Sequence, residues 1–478
     1  MNNIEKNLSM LMDFYELTMA NGYLKNERRD DIAVFDLFYR KNPDHASYSI
    51  ACGLQQVIEY INNLNFTEND INYLSSLNIF DNEFLEYLKN FKFTGNLYAV
   101  KEGTIVYPNT PIITVEAPII QAQLIETALL LIINHQTLIA NKANRIVRAA
   151  EESQVFEFGA RRAHSFDAAI YGARAAYIAG VTGTATVLAG EMFNIPVIGT
   201  MAHSWVQYFD DEYIAFKKYA EIYPSNCVLL IDTYNVIKSG IINAIKIHND
   251  ILKPKGYKLK GVRIDSGDLS YLSKKVRRIL DDNGLYDTKI TVSNSVDEEL
   301  ITSLKIQGAC IDSYGVGERL ITSKSEPVFG GVYKLVATKV GAQYIPKIKV
   351  SESIEKITNP SFKKLYRIYD ENNFGRFDVL ALHDEEIDHN TICKYELKPY
   401  KNYQIDAKST VKLLTQQIFK DGVLVYKLPT IEEIKEHFNE QNKTVMDEEK
   451  RFSYPQKHPV DLTLDLYNLK VSLLKEYE

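Results

Sequence analysis

Through the middle third of the chain, short apolar runs alternate with longer stretches of helical periodicity. Strands are predicted at 154–158, 196–199, 228–231, 261–264, 289–292 and 309–311, where apolar and β-branched residues cluster. Between two of them, Leu269, Leu272, Val276, Ile279 and Leu280 make one apolar stripe over 268–280. Lys274, Lys275, Arg277 and Arg278 lie largely outside that stripe. Ser295-Val296-Asp297-Glu298 reads as a capping box opening a helix to Lys305. Gly284 and Gly308 suit helix ends. Strands that recur with crossover helices pair in parallel, because each returns by a right-handed connection. About six such units in series predict an α/β class and a (β/α) barrel or partial barrel.

The flanks carry a different pattern. Residues 1–24 read as a helix, 33–39 and the 95–118 region as strands with Gly and Pro turns, and 119–152 as a long helix. Past Gly330, the runs 332–337, 344–350, 364–369 and 376–382 predict an antiparallel sheet. Helical segments follow, broken around 455–459. The expected division is an N-terminal flanking part at 1–135, a barrel-like catalytic domain at 136–335 and a C-terminal segment at 336–478. The C-terminal segment is expected to pack with the N-terminal part as one discontinuous α/β domain, although no sequence feature pairs the two ends. There is no internal repeat and no low-complexity segment.

Composition narrows the function classes. A chain of 478 residues exceeds one ordinary core. The net charge of −7 gives no global basic field for nucleic acid, so an anionic ligand needs a local pocket of positive charge. Cysteines at 52, 227, 310 and 393 form no CxxC pair, which implies neither a zinc site nor a disulfide frame and favours a reducing cytoplasm. The start MNNIEKNL lacks the basic and apolar regions of a signal peptide. The longest strongly apolar run, 128–133, is too short to cross a bilayer.

Candidate chemistry collects at the carboxyl ends of the predicted strands, where α/β folds bind ligands. The most informative stretch is Pro196-Val197-Ile198-Gly199-Thr200-Met201-Ala202-His203-Ser204. A histidine just past a strand can serve as base, acid or covalent acceptor, or simply hydrogen-bond a loop carbonyl. The other ends carry Phe158-Gly159-Ala160-Arg161-Arg162-Ala163-His164, Asp232-Thr233-Tyr234, Asp265-Ser266-Gly267-Asp268, Ser293-Asn294-Ser295 and Gly315-Val316-Gly317-Glu318-Arg319. Arg161 and Arg162 are a solvated pair or an anion site, and their place after an apolar strand and a glycine favours the anion. Asp268 suits a helix cap, while Asp265 is better placed for a sugar hydroxyl or a metal-bound water. Gly315 and Gly317 form a plain turn or present backbone N–H groups to phosphate. Asp232 is a structural carboxylate or a functional one. Trp205 suits packing. The His383-to-His389 loop resembles a metal cluster but, in the antiparallel flank, suits a solvated turn better. Arginines, acids, glycines and one histidine together point to a phosphorylated sugar. The reaction type does not follow from these residues alone.

Six ordered segments carry a resemblance. They are Asp13-Phe14-Tyr15-Glu16-Leu17-Thr18-Met19, Phe158-Gly159-Ala160-Arg161-Arg162-Ala163, Gly199-Thr200-Met201-Ala202-His203-Ser204, Ile231-Asp232-Thr233-Tyr234, Gly261-Val262-Arg263-Ile264-Asp265-Ser266-Gly267-Asp268 and Gly330-Gly331-Val332-Tyr333-Lys334-Leu335. From about residue 9 to residue 369 the chain resembles the nicotinate phosphoribosyltransferase family. The resemblance implies a type II phosphoribosyltransferase barrel. It also implies transfer from phosphoribosyl pyrophosphate to nicotinate in NAD salvage, giving nicotinate mononucleotide and pyrophosphate. ATP hydrolysis through a phosphohistidine, as in an ATP-coupled ligase, and Mg²⁺ are implied with it. On this resemblance His203 is the phosphate acceptor, and Tyr15, Thr200 and Arg263 are the nicotinate contacts. Tyr15 is expected to arrive from a second subunit, which implies a homodimer with shared active sites. Asp265 is expected at the ribose or in the metal's water shell. Phe158, Arg161, Arg162 and Glu318 are further candidate substrate contacts, and Gly315, Gly317 and Ser295 candidate phosphate contacts.

Two positions refine the resemblance. Related nicotinamide enzymes carry Gly-Thr-Asp-Thr where this chain has Gly183-Thr184-Ala185-Thr186. An aspartate there would accept from an amide and repel a carboxylate, so Ala185 favours the acid. Family members often place threonine after the Gly-x-Gly turn, where this chain has Glu318. A carboxylate beside phosphate is unfavourable unless it pairs with Arg319 or works through Mg²⁺. The competing readings are an amide-specific enzyme of the same architecture and a catalytically silent nucleotide-binding relative. Neither nucleic acid nor membrane is expected as a partner.

Overall fold

The computed structural model describes residues 7–395 and 400–477. Its middle third is a parallel sheet in the order Gly183–Thr184, Gln154–Glu157, Ser313–Val316, Lys289–Ser293, Gly261–Ile264, Val228–Leu230. One further parallel bridge joins Thr184 to Val197. Spatial neighbours therefore follow chain order, and the strand at 313 returns to pair with the strand at 154. That is a barrel with one open seam: among the described residues no pairing joins the 197 segment to the 228 strand.

Strand alternation decides what each barrel face carries. Val155, Val262, Ile264, Ile290, Val292, Tyr314 and Val316 are buried on the face covered by helices. The alternate positions, Phe156, Arg263, Thr291, Ser293, Ser313 and Gly315, form the other face in registered rows. Thr291 and Ser313 share a hydrogen bond of 2.7 Å between their hydroxyls there. The amphipathic helix Leu269–Asp282 buries Leu269, Val276 and Leu280 as the stripe predicts.

Three local expectations need correction. The strand predicted at 309–311 is displaced to Ser313–Val316. The helix Glu298–Ile306 ends at left-handed Gly308, and the N–H groups of Gly308 and Ala309 bond back to Lys305 and Leu304. Residues just past 308 are thus spent on that helix end. Its opening cap is Asp297, which accepts from the Leu300 N–H, rather than Ser295. At 196–199 only the single bridge forms, and the short strand Gly183–Thr184 was not anticipated.

Contacts divide the chain into two compact units, Met1–Leu138 with Val328–Glu478, and Ile139–Pro327. In the first, a seven-stranded sheet runs Gln343–Pro346, Gly331–Val340, Ile32–Tyr39, Ile113–Pro118, Asn96–Val100, Thr415–Lys420, Val423–Leu424. The strands predicted past residue 330 do not share one sheet. Lys363–Tyr369 and Gly375–Leu382 belong to a second sheet, in which Gly375–Leu382 also pairs in parallel with Val460–Thr463. The first helix is Phe14–Lys25, opened by a capping box at Asp13. The earlier part of its predicted span is non-helical at 7–13 and lies outside the described residues at 1–6. Apolar composition reaches further than the 128–133 run suggested. The helical stretch Ile119–Ala150 is long and apolar enough to cross a membrane, but 61% of its most apolar window is buried inside the protein.

Candidate active site

Because the barrel strands are parallel, their carboxyl ends share one rim. Arg263, on the strand Gly261–Ile264, is the hub of a polar network there. Its Nε donates to Ser293 Oγ at 3.0 Å and its Nη1 to Thr200 Oγ1 at 3.2 Å. Its Nη2 lies 3.4 Å from Asp265 Oδ1, an oxygen that also accepts from the Ser293 hydroxyl. The guanidinium carbon sits 5.6 Å from the centre of the Phe158 ring, within cation–π range. A carboxylate and two hydroxyls thus fix one plane of the guanidinium and leave N–H groups for a ligand anion.

His203 opens the short helix His203–Tyr208. Its Nδ1 is 3.1 Å from Thr233 Oγ1, and its Nε2 is 3.7 Å from Asp265 Oδ2 and 4.0 Å from Asp232 Oδ1. The imidazole is 39% exposed, so a ligand can reach it, whereas the Asp232 side chain is 1% exposed. Asp232 Oδ2 accepts from the Asp265 N–H at 2.8 Å and the Ser266 hydroxyl at 2.6 Å. Asp232 Oδ1 is buried with no hydrogen-bond partner. A buried carboxylate oxygen left unpaired is costly, and it faces the same space as His203 and Asp265. Asp232 therefore both ties two strand-end loops together and offers a free acceptor to the site.

The structure brings His203, Arg263, Thr200, Asp265 and Phe158 together. Phe158 lies against the neighbouring strand, because a Cβ on Gly315 would come within 2.5 Å of its ring. Gly315 is therefore a strand residue making a close approach rather than part of a turn, and Gly317 is the residue that turns the chain. Asn294 and Ser295 stand side by side in the left-handed region, with φ of 83° and 52°. Such a pair of non-glycine residues costs about 1 kcal/mol each and marks a constrained loop. Arg161 and Arg162 lie in the turn Ala160–Arg162, exposed and without a side-chain hydrogen bond among the described residues. Asp268 caps the helix Leu269–Asp282 by accepting from the Tyr271 N–H at 2.9 Å. Trp205 packs against Phe209 and Tyr219 and donates to the Ala215 carbonyl.

Glu318 departs from the pairing expected of it. It bonds Lys324, and that exposed contact holds its carboxyl below the usual range, while Arg319 pairs with Asp297. Tyr15 belongs to the terminal unit, on the first turn of Phe14–Lys25, and is 43% exposed. In the antiparallel flank, His383 stacks on Phe362 at 5.0 Å, and Asp388 accepts from Asn390 and Thr391 within its own turn.

Sequence reasoning placed Ser293 and Thr233 at strand ends without giving either a role of its own, and it missed Glu157. Glu157, the last residue of its strand, accepts from the Gly159 N–H and from Thr184 Oγ1 at 2.6 Å. Burial raises its carboxyl above the usual range, with those bonds working against the shift. An acid ending an otherwise apolar strand was the one available signal.

Residues 10–134 match the nicotinate phosphoribosyltransferase (NAPRTase) N-terminal domain, and residues 153–368 the nicotinate phosphoribosyltransferase (NAPRTase) family. Residues 362–470 match the nicotinate phosphoribosyltransferase C-terminal domain. Nicotinate phosphoribosyltransferase of Bacillus subtilis is 42% identical over 486 residues, covering 99% of this chain and 96% of its own. The Caenorhabditis elegans protein of that name is 34% identical, covering 96% of this chain and 92% of its own. The crystal structure of human nicotinic acid phosphoribosyltransferase matches with a TM-score of 0.85 at 26% identity, over 97% of this chain and 100% of that one.

Proposed function

The chain belongs to the nicotinate phosphoribosyltransferase family, and from that membership we propose how the residues at its barrel rim divide the work. It transfers the phosphoribosyl group of phosphoribosyl pyrophosphate to nicotinate on a type II barrel, a step of NAD biosynthesis. The observation that carries the division of labour is the convergence of Arg263, Thr200, Ser293, Asp265, Asp232 and His203 at one end of that barrel. Arg263 takes the nicotinate carboxylate with the N–H groups its neighbours leave free, and Thr200 helps orient it. The pyridine ring lies on Phe158, and Tyr15 closes its other face from a second copy of the chain. Exposed apolar residues of the barrel unit, Val187 at 69%, Met192 at 50% and Val197 at 51%, fit an interface between two copies.

Transfer needs no protein nucleophile. The bond between ribose C1 and the pyrophosphate oxygen breaks with its electron pair leaving on oxygen. The pyridine nitrogen then gives its lone pair to the oxocarbenium-like carbon. The protein positions the partners and stabilises charge. Asp265 accepts from a ribose hydroxyl. Arg161 and Arg162 bind phosphate oxygens, assisted by backbone N–H groups at Gly317 and Ser295; Gly315, placed inside the strand Ser313–Val316, is taken up by the sheet instead.

Mg²⁺ fits the residues present. Asp232 has a buried, unpartnered oxygen, and Asp265 faces the same space. Mg²⁺ commonly takes one or two carboxylates and completes its shell with water and substrate phosphates. Asp232 and Asp265 would hold it, and the bound ion would neutralise charge on the departing pyrophosphate. ATP enters through His203. With its proton on Nε2 toward the two carboxylates, Nδ1 keeps the lone pair, and the Thr233 hydroxyl 3.1 Å away turns its proton aside to free that lone pair for reaction. Nδ1 attacks the γ-phosphorus, the bond to the bridging oxygen breaks and ADP leaves. Water later cleaves the phosphohistidine to free phosphate. All four cysteines are free thiols, which fits action in a reducing cytoplasm.

The amide-specific alternative is not favoured: Ala185 is exposed just beyond the strand Gly183–Thr184 and brings no acceptor for an amide. The test is product identification with nicotinate, nicotinamide and quinolinate in parallel, each with and without ATP. We expect nicotinate mononucleotide from nicotinate, a higher yield with ATP, and an acid-labile phosphate on the protein that His203→Ala abolishes. Comparable turnover of nicotinamide would overturn the substrate, and absence of the label under all conditions would overturn the ATP coupling.

A further inference from the structure

We propose that Glu157 is a positioning residue that sets the selectivity of the nicotinate slot by tying together, from behind, the two rim loops that border Phe158. The inference rests on the nicotinate reading above and deepens it.

The position is unusual for an acid. Strand alternation puts Glu157 with Val155 on the face packed against helices, where Val316 is its registered neighbour. The residue is fully buried, with no cation within ion-pair distance among the described residues. A buried carboxylate without a counter-charge is expensive, and an apolar residue would suit that layer better. What the carboxylate does instead is accept from two directions. One oxygen takes the Gly159 N–H, the first turn residue after Phe158. The other takes the Thr184 hydroxyl at 2.6 Å, with Thr186 Oγ1 at 3.5 Å.

The second loop is latched further by its own groups. Thr184 Oγ1 accepts from the Thr186 N–H at 2.9 Å, and the Ala185 N–H donates to the Glu157 carbonyl at 2.9 Å. One residue thus fixes both Ala185, where an acceptor would select the amide, and the backbone that carries the Phe158 ring. Gly159 is held closely as well, since a Cβ there would lie 2.6 Å from Ile321. Binding of the planar acid depends on the spacing of these two loops, and a displacement of about 1 Å at such a site can cost up to a hundredfold.

The test compares Glu157→Met, Glu157→Gln, Thr184→Val and the Glu157→Met/Thr184→Val pair with the unaltered enzyme. Steady-state kinetics with nicotinate and with nicotinamide are measured beside thermal unfolding. We expect Glu157→Met to raise KM for nicotinate about tenfold with kcat little changed, and to narrow the preference for nicotinate over nicotinamide by a similar factor. Its Tm should change little, because relief of the buried charge offsets the Gly159 N–H and Thr184 hydroxyl left without an acceptor. Glu157→Gln, which keeps one acceptor, should lie between. Thr184→Val should shift selectivity in the same direction, and the double variant should add little, because both act through one link. Unchanged KM and selectivity in Glu157→Met would overturn the inference, as would equal losses for both substrates that add fully with Thr184→Val. If the unaltered enzyme makes no nicotinate mononucleotide, the functional reading falls and this inference with it. Turnover by the unaltered enzyme with indifferent variants overturns the inference alone.

Discussion

Gly315 shows how much of this site is decided by single atoms. Its α-carbon faces the Phe158 ring so closely that one added methyl would sit 2.5 Å from the ring. The ring must then move, and with it the surface on which the pyridine lies. Gly315→Ala should therefore raise KM for nicotinate by about ten- to a hundredfold while leaving the protein folded. Steady-state kinetics beside a thermal melt will check it, and an unaltered KM would remove Phe158 from the substrate surface. At this scale the legible residues were those whose chemistry is rare at a strand end. His203 stands out after an apolar run, Arg263 entered only through the family resemblance, and the structure joins their surroundings through Asp265. Ser293 and Thr233 were legible only as strand-end hydroxyls, since a hydroxyl in a sequence says nothing about which side chain it will meet. The pairing of Glu318 with Lys324 rather than Arg319 was hidden for a related reason. The short helix Glu318–Ile321 separates neighbours in sequence and joins residues six apart.

Elements were read most securely where periodicity and an end signal agreed. The helix Leu269–Asp282 has both: an apolar stripe and an aspartate one residue before it. Asp268 accepts from the Tyr271 N–H, satisfying one of the donors that every helix start leaves open. Asp268→Ala should cost about 1 kcal/mol and lower the urea midpoint of the barrel unit accordingly. Tryptophan fluorescence can follow it through Trp205, which lies in that unit. An unshifted midpoint would mean that water caps the helix equally well. Reading failed where two signals competed for the same residues. The run 309–311 looked like a strand, but the preceding helix claims the Ala309 N–H for its end and Ser273 takes that of Cys310. The true strand, Ser313–Val316, escaped notice because its lumen-facing positions are serine and glycine rather than apolar.

At the scale of the whole chain, pairings distant in sequence were illegible. The strand Ile32–Tyr39 is flanked by Ile113–Pro118 on one side and Gly331–Val340 on the other, and nothing local announces either neighbour. The same holds for a buried charged network in the terminal unit, assembled from Tyr107, Arg367, Asp378, Glu449 and His458. Arg367 donates to both oxygens of Asp378 at 2.7 and 2.9 Å. His458 lies 3.0 Å from Glu449 and 3.3 Å from Asp378, its ring stacked on Tyr107 at 3.6 Å. Tyr107 in turn donates to Glu449 at 2.7 Å, and the guanidinium of Arg367 lies over its ring. Burial disfavours a charged imidazole, but the two carboxylates outweigh it and hold His458 above its ordinary value of 6.5. Burial likewise opposes the charge on Asp378, but Arg367 outweighs it and brings the carboxyl to about 2. A raised folded pKa stabilises fully below the unfolded value and loses that contribution as pH climbs through the folded one. A depressed folded pKa stabilises above the unfolded value and loses its contribution as pH falls through the folded one. The terminal unit should therefore be firmest between roughly pH 4 and 6.5, weakening in alkali as His458 deprotonates and in acid as Asp378 protonates. His458→Gln leaves two buried carboxylates facing one guanidinium, a loss of about 3–5 kcal/mol where the imidazolium was present. Thermal unfolding of both proteins from pH 5 to 9 at one ionic strength should give the widest separation at the acid end. The two curves should converge as the unaltered protein loses its proton. A separation constant across that range would mean that His458 is neutral in the fold and that the network is held by Arg367 alone.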